Sequence, residues 1–285
     1  MYLLSICIPT FNRKNELENI LDTIKSNNDI EVVICDDGSN DNTDKLVKNY
    51  YSKLNIKYIF QKNLGVSAAM LTAYNNSSGK YVIKMDSDDL FTDDGISFIL
   101  DSIKKNTNQV AFLFGVKTVK KNFKSENIPP SGIINFISVY ADHNVKGDLK
   151  QVVKTEIVLR YMYDVPRKVR RIPPGLLWIK IAEDFNCLSF NKAVAIKNYL
   201  DDGITSKILY LNASYPEALV ELNHRLVYSK VYRSIIYRWR SRLLWSRYSF
   251  HNNSINLKYW WTWIVFIPGL FIFIIDIIRL NKFKR

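Results

Sequence analysis

The sequence predicts an α/β protein with a mostly parallel sheet and helices on both faces, followed by a C-terminal helical, membrane-associated tail. In the first 90 residues, short apolar runs alternate four times with stretches of helical periodicity. This is the pattern of βα repeats in a parallel sheet. Each apolar run ends in a polar cluster. The chain from Arg225 onwards is basic, aromatic and interrupted by a long apolar segment.

The four predicted strands each end beside a cluster of polar residues. The strands cover 3–8, 31–35, 56–60 and 81–85, and the clusters cover 10–12, 36–39, 62–65 and 86–89. Helices are predicted around 17–24, over 41–53 and around 68–73. Because ligands bind at the carboxyl ends of the strands in such sheets, the clusters predict one binding site at that edge.

The fourth cluster, Asp86-Ser87-Asp88-Asp89, places three acids in four positions after a buried strand. Such a cluster is costly without a cation, and hard oxygen ligands suit Mg²⁺ or Mn²⁺. The alternative is an acidic turn before a helix that starts near Asp93, where carboxylates are common. The three preceding polar strand ends favour the metal site, with Asp89 left as a turn or helix-start residue.

A nucleotide is the second predicted ligand. No Gly-x-Gly-x-x-Gly follows the first strand and no Walker A motif occurs, which argues against dinucleotide-binding and P-loop folds. Phe11 offers a face for base stacking, and Asp37 offers an acceptor for a base N–H. Asp86 offers an acceptor for a ribose hydroxyl. The alternatives are core packing for Phe11 and a tight turn for Asp37-Gly38.

Four motifs resemble the donor-site motifs of family 2 glycosyltransferases in order and spacing. They are Ile8-Pro9-Thr10-Phe11-Asn12-Arg13, Cys35-Asp36-Asp37-Gly38-Ser39, Asn63-x-Gly65 and Asp86-Ser87-Asp88-Asp89. The resemblance covers roughly residues 3–110. It implies a nucleotide-diphospho-sugar transferase fold of the GT-A type and inversion at the anomeric carbon.

The resemblance also implies roles for single residues. Thr10, Phe11 and Asp37 would hold the base, Asp86 the ribose, and Asp88 the Mg²⁺ or Mn²⁺ on the diphosphate. The remaining nucleotide-sugar-binding residues would be Pro9, Gly38, Asn63 and Ser87. One departure is Met70-Leu71, where many relatives have Arg-Asn with an arginine that contacts the diphosphate.

The acceptor half is predicted to contain strands over 109–119 and 190–200 and a helix from Gly175 to Phe185. An inverting transfer needs a carboxylate that removes the proton of the acceptor hydroxyl. Similar sequences carry a Glu-Gly pair before a Leu-x-Trp stretch, and this chain has Pro174-Gly175 there. Asp148 and Asp184 are the substitute candidates for the base.

The tail carries most of the charge. The net charge is +13, and the stretch from Arg225 to Arg285 has twelve Lys and Arg and one acid, so it holds +11. A nearly neutral body argues against a nucleic-acid-binding protein. A single basic amphipathic helix over 213–247 is predicted to lie on an anionic membrane surface.

The apolar segment 259–275 begins with three tryptophans, has Pro268-Gly269 at its middle and is flanked by basic residues on both sides. These features favour a bent re-entrant or interfacial segment over a single span or a soluble packed helix. The chain is thus divided into a donor half (1–110), an acceptor half (111–211) and a membrane-associated tail (212–285). The expected location is the cytoplasmic face of the plasma membrane.

Composition agrees with a globular protein, with 47% hydrophobic and 24% charged residues among 285. Three cysteines in no recognisable spacing are predicted to be core residues in a reducing compartment. No signal peptide is recognised, so a cytoplasmic N-terminus is expected.

The predicted function is metal-dependent transfer of a sugar from a nucleoside-diphosphate sugar to a hydroxyl of a cell-surface glycan or lipid-linked acceptor. The alternative is a membrane-bound protein that binds a nucleotide-sugar without transferring it. The missing Glu and the missing Arg-Asn pair keep this alternative open.

Overall fold

The computed structural model describes residues 2–120, 123–143, 145, 147–166, 168–198, 208–231, 234–255 and 257–283. The strands are β1 Leu4–Thr10, β2 Ile30–Asp36, β3 Ile56–Phe60, β4 Tyr81–Lys84, β5 Asp89–Phe91, β6 Ala111–Lys120, β7 Phe123–Asn127, β8 Gly132–Ile134, β9 Lys150–Lys154 and β10 Cys187–Asn198. The helices are α1 Lys14–Asp22, α2 Thr43–Lys48, α3 Val66–Asn75, α4 Gly95–Lys105, α5 Val139–Asp142, α6 Thr155–Tyr161, α7 Gly175–Asp184, α8 Ile208–Ser214, α9 Pro216–Tyr228, α10 Ile235–His251 and α11 Trp260–Phe283.

The described strands form one sheet in the order β3-β2-β1-β4-β9-β6-β10-β5, with β7 beside β6 and β8 beside β10. Strands β3, β2, β1 and β4 are parallel, as the four βα repeats predict. Beyond β4 the sheet is mixed, because β9 runs antiparallel to both of its neighbours. The prediction of an α/β fold with helices on both faces is confirmed. The last residues of the strand predicted over 190–200 lie outside the described residues.

Two apolar layers cover the two faces of the sheet. Helices α1, α2 and α4 pack on one face through residues such as Leu17, Val47 and Ile99. Helices α3, α6 and α7 pack on the other through residues such as Ala69 and Val158. Every residue of β1 and β2 is buried, which explains why these strands are continuous apolar runs in the sequence. The polar clusters of the four motifs follow where the strands end, at the edge that carries the site.

The tail is a set of packed helices, so the prediction of a single helix over 213–247 is wrong. Helix α9 starts with Pro216, whose missing N–H costs nothing at the first helical position. Helix α10 starts after Ser234, whose hydroxyl accepts a hydrogen bond from the Tyr237 N–H. Helix α9 packs on α7, α10 on α9, and α11 on α10. Trp245 and Trp261 lie in the small core between the last three helices.

Helix α11 has one face against the protein and one face that is apolar and exposed. A Cβ on Gly269 would lie 2.2 Å from the Ser246 Oγ, so α11 approaches α10 closely there. The helix continues through Pro268. The exposed face consists of Trp260, Trp263, Ile264, Ile267, Phe271, Ile274 and Ile278. Within the described residues, α11 is the one helix long and apolar enough to cross a membrane.

Candidate active site

The polar clusters after β1 and β2 lie side by side. The Asn12 backbone N–H donates to the Ser39 Oγ at 2.8 Å, and the Asn40 N–H donates to the Asn12 Oδ1 at 2.9 Å. Asn12 adopts a φ of 50°, a conformation that asparagine tolerates better than most residues. These bonds join the first two motifs into one rim at the carboxyl edge of the sheet.

Asp37, which belongs to the second motif, accepts hydrogen bonds that fix the third motif beside it. Its Oδ1 accepts hydrogen bonds from the Gln61 Nε2 at 2.7 Å and the Leu64 N–H at 2.9 Å, and its Oδ2 accepts from the Gly65 N–H at 2.7 Å. Because a carboxylate offers about four acceptor positions, Oδ2 keeps one for a ligand. Gly38 forms the tight turn considered from the sequence, with a φ of 91°. The structure thus gives Asp37 a positioning task that the sequence did not reveal.

Phe11 and Thr10 present two features that suit a nucleoside. The Phe11 ring is 44% exposed, so core packing does not account for it. Thr10 is 3% exposed, and its buried hydroxyl has no hydrogen-bond partner among the described residues. The preceding residue, Pro9, is buried in β1 beside Cys35 of β2. Buried polar groups are normally paired, so the Thr10 hydroxyl marks a place for a ligand.

The acidic cluster after β4 is interleaved with three lysines from different strands. Lys84 contacts Asp86 at 2.6 Å, and Ser87 beside it is buried. Lys150 of β9 contacts Asp89 at 2.6 Å, and both side chains are buried. Lys197 of β10, which faces Asp89 in the sheet register, pairs with Asp148. Asp89 is therefore half of a buried ion pair at the start of β5, and the expectation of a turn or helix-start residue is wrong.

Asp88 is the carboxylate of this cluster whose charge is least compensated. Burial alone would raise the pKa of Asp86, but Lys84, Lys150 and Lys197 lower it below its usual range. Burial and the charges of Asp86 and Asp89 raise the pKa of Asp88 to about 6. A divalent cation fits this position by charge and by donor type. The described residues contain no group of three His, Cys, Asp or Glu side chains placed to hold a metal ion.

The two candidate bases lie in different places. Asp148 pairs with Lys197, whose charge also acts on Asp86 and Asp89, so Asp148 belongs to the acidic cluster. Its side chain is 51% exposed. Asp184 ends α7, just before β10 begins at the opposite edge of the sheet, and accepts a hydrogen bond from the Tyr161 hydroxyl at 2.5 Å. Asp184 does not join the site, because β10 runs in the same direction as β4.

The segment 168–174 also reaches the site, which the sequence did not predict. The Arg170 Nη1 donates to the Asn63 carbonyl at 2.8 Å and contacts the Asn63 Oδ1. A Cβ on Gly65 would lie 2.4 Å from the Arg170 carbonyl oxygen, so glycine is needed where the two segments meet. Arg170 and Lys150 lie far along the chain from the motifs that they contact, and no local pattern marks them.

The family suggested by the motifs is found independently. Residues 5–152 match the sequence profile described as Glycosyl transferase family 2. A chondroitin synthase of Escherichia coli is 32% identical over 127 residues, which are 44% of this chain and 18% of that protein. The abequosyltransferase RfbV of Salmonella typhimurium is 34% identical over 104 residues, 34% of this chain and 31% of that protein. The chain therefore spans less than a third of the length of either relative.

Solved structures share the fold. TarS 1–349 of S. aureus in complex with UDP-GlcNAc has a TM-score of 0.70 at 16% identity, covering 96% of this chain and 81% of that one. The mannosyltransferase PcManGT of Pyrobaculum calidifontis, in complex with GDP-Man and Mn²⁺, has a TM-score of 0.54 at 16% identity, covering 88% and 74%. The predicted GT-A type fold is confirmed. By its sequence profile, which spans more than half of its length, this chain belongs to glycosyl transferase family 2.

Proposed function

We propose that this chain transfers a sugar from a nucleoside-diphosphate sugar to a hydroxyl of a cell-surface glycan or lipid-linked acceptor, with inversion and with a divalent metal. The observation that carries the proposal is the convergence of four polar strand ends at one sheet edge. The exposed Phe11 ring, the unpartnered Thr10 hydroxyl and the acidic cluster follow two neighbouring parallel strands at this edge. UDP-GlcNAc bound to TarS and GDP-Man bound to PcManGT support the donor class.

Different motifs of the donor half bind different parts of the nucleotide-sugar. Phe11 stacks on the base, and Thr10 and the free position of Asp37 hydrogen-bond to it. Asp86 accepts from the ribose. Pro9, Gly38, Asn63 and Ser87 line the site. Asp88 holds Mg²⁺ or Mn²⁺, and a bound metal would neutralise the charge that develops on the departing diphosphate.

Asp148 is the proposed base. Asp148 pairs with Lys197 at the acidic cluster, and half of the Asp148 side chain is exposed to an incoming acceptor. The ionised carboxylate takes the proton of the acceptor hydroxyl as its oxygen bonds to the anomeric carbon and the bond to the diphosphate breaks. Asp148→Asn should lower kcat by about 10²-fold or more while the Kd for the donor stays unchanged. An unchanged kcat would remove Asp148 from this role.

The donor and metal assignment is tested by incubating the full chain with UDP- and GDP-sugars, Mn²⁺ and a lipid-linked glycan extract. We expect Asp88→Asn to lose about 10²-fold in donor hydrolysis and transfer. Asp44→Asn, which removes an exposed carboxylate paired with Lys48 on α2, is the matched control and should leave both rates unchanged. Equal rates in the parent and in Asp88→Asn would refute the metal role.

The alternative, a nucleotide-sugar-binding protein without transfer, is favoured by one observation. Pro174 stands before α7, and the first turn of this helix carries no acid. Donor binding by the parent, with no transfer to any acceptor pool, would favour this alternative. Transfer that depends on Asp148 would exclude it.

We also propose that the exposed face of α11 lies in the apolar layer of a membrane, with the catalytic body on the cytoplasmic side. Ile267→Glu should weaken co-flotation with vesicles of anionic lipids by about tenfold, since Ile267 is 74% exposed on that face. Ile133→Glu on β8, where the isoleucine is 58% exposed, is the control and should leave flotation unchanged. Equal flotation of both variants would argue against membrane insertion of α11.

A further inference from the structure

Arg171 is a cation at the donor site that no motif predicts. The geometry points to Arg171 as the residue that binds the diphosphate of the donor, an assignment that rests on the proposed function. Three observations support this assignment: the position of the segment 168–174, the poorly compensated charge of Arg171, and the absence of Lys and Arg from α3 itself.

Both neighbours of Arg171 are fixed to the start of α3. On one side, the Arg170 backbone packs on Gly65, the residue before α3. On the other side, the Ile172 N–H donates to the Ser67 Oγ at 2.7 Å. Arg171 is thus anchored beside the first turn of α3, where helix N–H groups and the helix dipole favour an anion.

The charge of Arg171 is poorly compensated by the protein. Its Nη1 donates to the Asn212 Oδ1 at 3.1 Å, and no ion pair of Arg171 occurs within the described ranges. Burial lowers the pKa of Arg171, although the charges of Tyr163 and Asp86 act in the opposite direction. A partly buried cation with one neutral partner is costly, and an anionic ligand would remove that cost. The five N–H donors of a guanidinium form a fork that matches phosphate oxygens.

The other buried or partly buried cations of the site already have carboxylate partners. Lys84, Lys150 and Lys197 contact Asp86, Asp89 and Asp148 respectively. Helix α3 itself carries no Lys or Arg, and Met70 on it is buried in the core. Arg171, together with a metal on Asp88, would offset the negative charge of a diphosphate that lies next to three acids. The contact that an arginine on α3 would make is supplied here from a segment about 100 residues later.

The test compares ligands with and without the diphosphate. UDP and GDP are titrated into the full chain in Mn²⁺ by calorimetry, and uridine and guanosine are measured by ligand-observed NMR. For the base that binds, Arg171→Gln should weaken the nucleoside diphosphate by about 10- to 100-fold. The matching nucleoside should change by less than about threefold, because the described contacts of Arg171 do not include Phe11, Thr10 or Asp37.

The matched control is Lys168→Gln, which removes an exposed charge from the same segment and should leave the Kd for the nucleoside diphosphate unchanged. Arg171→Lys should restore part of the affinity, since it keeps the charge but loses the fork. Equal weakening of the diphosphate and the nucleoside would show a structural role and overturn the assignment, as would unchanged binding of the diphosphate. If the parent binds neither diphosphate, the proposed function itself fails, and that result is seen without any variant.

Discussion

Two aspartates are buried to the same degree, each 1% exposed, but they are paired differently. In the tail, both oxygens of Asp276 are bonded. Arg247 donates to them through Nε at 2.6 Å and Nη2 at 2.8 Å, and the His251 Nε2 lies 3.1 Å from the Oδ2. In the site, the Asp89 Oδ2 meets Lys150 at 2.6 Å, and the buried Asp89 Oδ1 has no partner among the described residues.

The difference separates a structural bridge from a binding site. The bonds of Asp276 join α10 to α11 and leave nothing for a ligand to complete. Around Asp89, the Thr10 hydroxyl is also unpartnered, Asp88 has a raised pKa, and Arg171 has no ion-pair partner in the part of the chain that the structure describes. Buried polar groups are rarely left unpaired, and the Thr10 hydroxyl and the Asp89 Oδ1 at this edge are two atoms that a ligand can complete.

The largest expected effect comes from removing the ion pair between Arg247 and Asp276, which joins α10 to α11. Arg247→Met leaves the Asp276 carboxylate buried with His251 as its remaining partner, so the free energy of unfolding should fall by about 3–5 kcal/mol. Chemical denaturation in a mild detergent measures it. Arg225→Met is the control, because Arg225 pairs with the partly exposed Glu221 and Glu183 and should cost less than about 1 kcal/mol. Similar losses in the free energy of unfolding in the two variants would show that Arg247 and Asp276 do not form the buried ion pair described.

The next largest expected effect is the gain in the free energy of unfolding when a ligand binds to the site. A nucleoside diphosphate with Mn²⁺ at 100 times its Kd should raise the free energy of unfolding by about 2.7 kcal/mol. Thermal unfolding at several ligand concentrations measures this gain. Asp88→Asn should lose most of it. Arg247→Met should keep it, since Asp276 contacts none of the donor-site residues. A gain that disappears in Arg247→Met would contradict the separation of the two regions.

The comparison also shows which parts of the molecule the sequence can predict. The strands β1, β2 and β4 were predictable because burial on both faces leaves a largely apolar run and a sharp polar end. Phe11 and Asp88 lie at those ends, so local sequence sufficed to select them. The pairing of Lys150 with Asp89 spans 61 residues and could not be predicted, because no local pattern encodes which strand inserts beside β4.

The errors have equally specific causes. The tail was predicted as one helix because its apolar and basic residues follow helical spacing, although Pro216 and Ser234 are start signals for two helices. Asp184 was proposed as a base for its position on α7, and only the direction of β10 reveals that it lies at the other edge. Arg171 follows no motif, and its role depends on the path of the segment 168–174 over Gly65.

The smallest expected effect comes from replacing glycines, and it tests the path of the segment 168–174 over Gly65. Two glycines of similar backbone conformation are compared. Gly65 has a φ of 100° and a Cβ there would lie 2.4 Å from the Arg170 carbonyl oxygen, whereas Gly132 has a φ of 123° and open space around it. Gly65→Ala should lower the free energy of unfolding by about 2 kcal/mol, and Gly132→Ala by about 1 kcal/mol. Only Gly65→Ala should also weaken the nucleoside diphosphate, because displacing Arg170 moves Arg171 away from α3. If both variants bind the diphosphate as the parent does, the position of Arg171 does not depend on the packing of Arg170 on Gly65. In that case the hydrogen bond to Asn212 of α8 holds Arg171 in place.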